Sequence, residues 1–347
     1  MTSSYKNLFQ IREFKIATNH GVVLHFFSFM FAAFVVFFPW EIIMRSSGTD
    51  GFNDFTQYLK VFSSAQYKSD MYQWTTLVQF FTGELLWDNL IRSLSLLTSP
   101  YFALRTASFL ICYVWALITF KNIPFLWGLV FLLNPTSIDV AMSGIRNGFA
   151  FALFLFSFFY LSGARRIMMF SLTPFFHSSA AGLIAIYFSI KFWFKGIFKT
   201  RVILFSERTR SIIIAVVPGI ILGIALTVLA DVVLSFLGDR RVGLASKSQA
   251  PSITQSLFWY ALLCTQLTCS VEYIKRNAFT INLIVWYLIL NTSISWSYRI
   301  WGATIPIIAI SIWNLPKHKR QLIILMWIAY LILWYVYWTK LLNFFIS

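Results

Sequence analysis

Arg146, in Gly144-Ile145-Arg146-Asn147, and Arg299, in Ser297-Tyr298-Arg299, each open a long apolar segment. A guanidinium is planar and carries its donors in a fixed fork that matches phosphate oxygens. In the first turn of a helix it also stands against the macrodipole, a cost that a bound anion offsets. The plainer alternatives are that Arg146 pairs with Asp139 and that Arg299 snorkels to an interface. Arg240 and Arg241 form a further adjacent pair.

Proton acceptors form the second group. His177, in Phe176-His177-Ser178-Ser179, is an imidazole inside an apolar run, with Pro174 just before it. Taken alone it reads as a satisfied interior residue, but ionisable groups within a membrane are functional candidates by default. Asp54 precedes Tyr58 by four positions, so the two share a face if 51–58 is helical. Glu84 lies in Met71–Leu97, which mixes Trp74, Trp87, Asp88 and Arg92 in the pattern of a helix lying in a membrane interface. Each carboxylate has a plain reading as a solvated or packing residue. Aromatic rings beside carboxylates would nonetheless suit a sugar chain, whose apolar faces stack on them.

The composition says what must position these groups. Of 347 residues, 59% are hydrophobic and only 12% charged, against about 25% charged in a soluble chain. With 38 Phe, 15 Tyr and 14 Trp there are too few polar residues to cover such a core. Soluble enzyme, soluble nucleic-acid binder and disordered linker are excluded together, and the bilayer becomes the first partner. Cys112, Cys264 and Cys269 are scattered through apolar runs and match neither a disulfide framework nor a metal site. The first apolar run lacks a small-residue cleavage site, so no cleavable signal is expected.

Apolar segments fall at Val22–Trp40, Tyr101–Phe120, Ile123–Pro135, Gly148–Leu161, Ile167–Ile190, Ser211–Leu237, Leu257–Val271, Phe279–Ser295, Ile300–Leu315 and Gln321–Thr339. Many approach the ~20 residues that a helix needs to cross the hydrocarbon. Residues 134–147 read as a loop closing one helix and opening the next. The net charge of +16, from 28 basic and 12 acidic residues, then decides topology. If Ile167–Ile190 crosses once, most basic residues land outside, against the positive-inside rule. If it dips in and returns, with His177 near the tip, most lie in the cytoplasm. The expectation is therefore a single all-α, polytopic membrane domain over 1–347, with nine crossings plus a re-entrant hairpin near 167–190. Counting the short segments differently gives nine to eleven transmembrane helices. A large external segment spans 41–100 and a smaller one 238–255.

This topology leaves Arg45, Arg92, Arg105, Arg146, Arg240, Arg241 and Arg299 on the outer side, where the positive-inside rule does not explain them. An anionic headgroup or a lipid-linked pyrophosphate would. No P-loop, dinucleotide fingerprint, His-Glu-x-x-His or nucleophile elbow is present. No cofactor and no metal are expected.

Asn134-Pro135, the run from Ile145-Arg146-Asn147 to Ala152-Leu153, the basic break Arg165-Arg166 and Phe176-His177-Ser178-Ser179-Ala180 resemble the EpsG-like polysaccharide polymerases. That family overlaps the Wzy-type O-antigen polymerases. Asp54 to Tyr58 and Tyr298-Arg299 resemble the family more loosely. Where many relatives carry Arg-Gln, this chain has Arg146-Asn147. The resemblance implies a fold like that of the class C (GT-C) glycosyltransferases, in the bacterial inner membrane with its site on the periplasmic face. It implies transfer of an undecaprenyl-pyrophosphate-linked chain onto a new lipid-linked repeat unit. The implied partners are those lipid-linked oligosaccharides, a chain-length regulator and a repeat-unit flippase, and no nucleic acid.

In that chemistry Arg146 and Arg299 would stabilise the leaving pyrophosphate, helped by Arg240 and Arg241. His177, or else Asp54 or Glu84, would take the hydroxyl proton. Tyr58 and Tyr298 would line the substrate site. The alternatives are a flippase for lipid-linked oligosaccharides, using the same arginines without chemistry, and a membrane acyltransferase acting on surface sugars.

Overall fold

A computed structural model describes residues 18–43, 52–63, 85–199, 205–236, 253–292 and 297–338. Among them the chain is helical throughout, with no strand. The first part comprises α1 (Thr18–Phe37), a 3-10 turn at Trp40–Ile42, α2 (Asn53–Ser63), α3 (Leu85–Leu97), α4 (Pro100–Asn122) and α5 (Phe125–Leu132). There follow α6 (Pro135–Met142), α7 (Ile145–Tyr160), α8 (Gly163–Phe176), α9 (Ala180–Lys199) and α10 (Glu207–Phe236). The chain then forms α11 (Ile253–Leu267), α12 (Val271–Arg276), α13 (Ala278–Leu290), α14 (Tyr298–Trp313) and α15 (Lys317–Trp338).

Three of these helices are long and apolar enough to cross a membrane: α4, α10 over Glu207–Leu229, and α15 over Lys317–Val336. The pair α5 and α6 forms a fourth span if its 69° bend lies within one crossing, and six shorter apolar helices accompany them. This is a helical membrane protein.

The expected loop at 134–147 is corrected. Pro135–Met142 is a helix, because Asn134 caps it by accepting the Thr136 amide at 2.8 Å and Pro135 supplies a preset first turn. The expected break near His177 is present, with α8 ending at Phe176 and α9 starting at Ala180. Of Met71–Leu97, only Leu85–Leu97 lies within the described residues, and it is helical.

Three helices contain an internal proline, which removes an amide and frees the carbonyl four residues back. Each freed carbonyl has a new donor. Thr173 Oγ1 donates to Phe170 O at 2.9 Å before Pro174. Asn282 Nδ2 donates to Ile214 O at 3.0 Å before Pro218. Ser137 Oγ donates to Gly302 O at 3.1 Å before Pro306. Without water in the hydrocarbon, such substitute donors are what make a proline-interrupted span tenable.

The Ser137 bond docks α6 against α14, and small residues let the backbones close. A Cβ at position 302 would fall 3.0 Å from Thr136 O and from Val140 Cγ2. One at position 148 would fall 3.0 Å from Val140 O. Thus α6 is wedged between the first turns of α7 and α14, the two turns that carry Arg146 and Arg299. On the far side of α7, Phe154 stacks on Phe170 with ring centroids 4.4 Å apart, which seats α8 and the His177 break beside it.

Candidate functional site

Helix α2 presents Asp54 and Tyr58 on successive turns of one face, as their spacing predicts. Each meets an arginine from another helix. Arg146, second residue of α7, donates Nε–H to the Tyr58 hydroxyl at 3.1 Å, and its guanidinium lies 5.3 Å from that ring's centre. Arg299, second residue of α14, forms an ion pair through Nη2 with Asp54. The two arginines therefore stand about one helical turn apart along α2, where Cβ atoms four residues apart are roughly 5–6 Å from one another.

Arg299 also donates Nε–H to the Tyr298 hydroxyl at 3.3 Å. Its Nη1 has no partner among the described residues. The Asp139 carboxylate lies within electrostatic reach of Tyr298, Arg299 and Asp54. Asp139 is buried, and its Oδ2 has no hydrogen-bond partner among the described residues. Asp139 thus stands beside Tyr298 and Arg299, while Arg146 bonds Tyr58.

Neither helix that carries these arginines is capped by a side chain, since Gly144 and Ser297 make no capping bond. Two uncapped N-termini and two guanidiniums converge, a combination that favours an anion. The turns are tied directly, because Asn147 Nδ2 donates to the Arg299 carbonyl at 3.1 Å. Asn147 Oδ1 lies 2.8 Å from Ser179 Oγ, which lies 2.6 Å from His177 Nδ1. The imidazole at the α8–α9 break is therefore joined by side chains to the arginine wall.

No known family model, curated protein or solved structure matches this chain.

Of the residues read from sequence, His177, Tyr298, Arg299 and Asp54 belong to one hydrogen-bonded network, and the Arg146–Tyr58 pair stands beside it, next to Asn147 on α7 and one turn from Asp54 on α2. Glu84, Arg240 and Arg241 lie outside the described residues. Three neighbours had not been assigned to the site. Asn147 and Ser179 bridge His177 to α14; their side chains carry no catalytic signal in sequence beyond adjacency to Arg146 and His177. The third is Arg105 of α4, a buried residue whose guanidinium lies 5.2 Å from the Phe55 ring centre and 5.1 Å from that of Tyr101. Its Nη1 also donates to the Val36 carbonyl, so it anchors α2 and α1 to α4.

Chemically, the assembly offers fixed cations for an anion, an imidazole that could move a proton, a carboxylate that holds Arg299 and a second, Asp139, close by. Trp87 of α3, wholly buried, packs 6.4 Å from the Tyr58 ring and 6.0 Å from that of Phe149, backing the site with apolar surface.

Proposed function

We propose that this protein is a membrane glycosyltransferase that polymerises lipid-linked repeat units, acting on undecaprenyl-pyrophosphate-linked oligosaccharides. The observation that carries the reading is the convergence of Arg146 and Arg299 on one face of α2, at uncapped helix N-termini and joined to His177. A pyrophosphate leaving group gathers negative charge as its bond to sugar breaks. Cations held in advance by Tyr58, Tyr298 and Asp54 need little reorganisation to meet that charge.

In the proposed reaction an acceptor hydroxyl oxygen attacks the anomeric carbon of the donor chain. The bond from that carbon to the pyrophosphate oxygen breaks, and its electron pair leaves with the lipid pyrophosphate against Arg146 and Arg299. The hydroxyl proton passes to His177. The reading includes a GT-C-like arrangement of nine to eleven spans in the bacterial inner membrane, with this site on the periplasmic face. It is supported by the excess of basic residues on the cytoplasmic side in that topology.

The test is reconstitution in vesicles with lipid-linked repeat units as the sole substrate. Ladders of longer lipid-linked products are expected. Translocation of the lipid without elongation would overturn the reading in favour of a flippase that uses the same arginines.

A further inference from the structure

The side chains that meet His177 Nδ1 form a chain whose last member can only accept. The Arg299 carbonyl oxygen has no hydrogen to give, so Asn147 must present its NH2 there, at 3.1 Å. That orientation turns Asn147 Oδ1, another pure acceptor, toward Ser179 Oγ at 2.8 Å. The single hydroxyl hydrogen of Ser179 is then committed to Asn147. What Ser179 Oγ offers His177 Nδ1, 2.6 Å away, is a lone pair. The hydrogen between them must sit on Nδ1.

We infer that Asn147 and Ser179 are positioning residues that hold His177 as its Nδ1–H tautomer, which puts the basic lone pair on Nε2. The inference rests on the proton-accepting role proposed above. The tautomer of a histidine is set by the bond its other nitrogen makes, and here that bond is traceable to a backbone carbonyl.

One contact competes. The Ser179 amide points its N–H at Nδ1, 3.2 Å away, a bond that a bare Nδ1 accepts and that the relay gives up. The Ser179 hydroxyl would then have to turn its hydrogen to Nδ1 as well. Its oxygen would face Asn147 Oδ1 at 2.8 Å with no hydrogen between them. The two shortest contacts are both satisfied only in the relay. This competitor also sharpens the test, because deleting the hydroxyl leaves the amide as the remaining Ser179 donor at Nδ1 and should reverse the tautomer.

For the reaction, Nε2 takes the acceptor hydroxyl's proton as the oxygen bonds to the anomeric carbon. The resulting imidazolium already donates Nδ1–H to Ser179, so no group need turn during transfer. The relay joins α7, the α8–α9 break and α14. The base is therefore correctly protonated only when the turn bearing Arg299 is docked.

The experiment is nitrogen NMR of the full chain in nanodiscs with labelled histidine. The chain has 4 histidines, and the His177 signals are assigned by their loss in His177→Gln. Wild-type protein above the imidazole's titration is expected to show Nδ1–H. Ser179→Ala and Asn147→Ala are expected to show Nε2–H, and Ser179→Thr to keep the wild-type form. Elongation should fall roughly 100-fold in kcat for the two alanine variants with KM little changed, and recover in Ser179→Thr.

An Nε2–H wild type, or an unchanged tautomer in folded Ser179→Ala, would overturn the inference. The wild-type spectrum decides even if a variant does not fold. The spectra need no substrate, so failure of all elongation alongside the expected tautomers would count against the polymerase and not against the relay.

Discussion

Arg299 and Asp54, 245 positions apart in the chain, form an ion pair that fastens the first turn of α14 to α2. Their side chains remain 30% and 37% exposed, so solvent screening leaves the pair little value for stability. Its consequence is geometric. With Nη2 held by Asp54 and Nε by Tyr298, the guanidinium plane is fixed while Nη1 remains for an incoming oxygen.

Lysine cannot reproduce this arrangement, because one ammonium on a flexible stem cannot span Asp54, Tyr298 and a ligand in a fixed plane. Arg299→Lys is expected to lose about 1.5–3 kcal/mol of transition-state stabilisation, roughly 10- to 100-fold in turnover. Its amount in the membrane should match wild type. Product ladders at equal protein level measure this, and undiminished turnover would show that charge alone suffices.

In the proposed reaction Arg146 is one of the two cations set against the leaving group, so Arg146→Ala should abolish elongation without changing protein level. Tyr58→Phe separates position from charge. It deletes only the hydroxyl that accepts Arg146 Nε–H and keeps the ring beneath the guanidinium. A loss of roughly tenfold is expected, about 1.4 kcal/mol, in the range for a hydrogen bond to a charged group. Long-chain polymer made by Arg146→Ala would remove that residue from the mechanism.

The site was readable from sequence to the extent that chemistry is carried by residue type. An arginine opening an apolar helix, a histidine at a break, and an Asp and a Tyr four apart all advertise themselves, and all six described candidates meet. Partner choice was not readable. Asp139 lies seven positions before Arg146 and was its natural partner by proximity, yet it stands beside Tyr298 and Arg299 while Arg146 bonds Tyr58. Helix α6 was hidden because an eight-residue helix carries barely two turns of periodicity, and Asn134-Pro135 signals a turn as well as a cap. Long-range hydrogen bonds such as Asn147 to Arg299 leave no periodic trace in either partner's segment.

Acidification should slow elongation, because a base must be neutral to accept the hydroxyl proton. Protonation of His177 removes that capacity, so the rate rises with pH through the imidazole's titration and falls below it. His177→Ala should be much slower and should lose this rise. The pH dependence of kcat in the two proteins measures it. A variant that keeps the wild-type acid limb would transfer the role to a carboxylate, with Asp54 and Asp139 the nearest described candidates to Arg299.

The internal proline of α10 gives a prediction about stability alone. Pro218 leaves Ile214 O without its helical donor, and Asn282 of α13 supplies Nδ2–H at 3.0 Å while its Oδ1 accepts the Gly219 amide at 2.7 Å. Asn282→Ala would leave both backbone groups unsatisfied inside the bundle. Hydrogen bonds between membrane helices average about 0.6 kcal/mol, so losing two should cost about 1 kcal/mol and lower Tm in detergent. Pro218→Ala in that background restores an amide four residues after Ile214 and gives its carbonyl a helical partner again. The double variant should therefore be less destabilised than the two single changes added together, a coupling that a double-mutant cycle measures. Strict additivity would mean that Asn282 does not substitute for the missing proline amide.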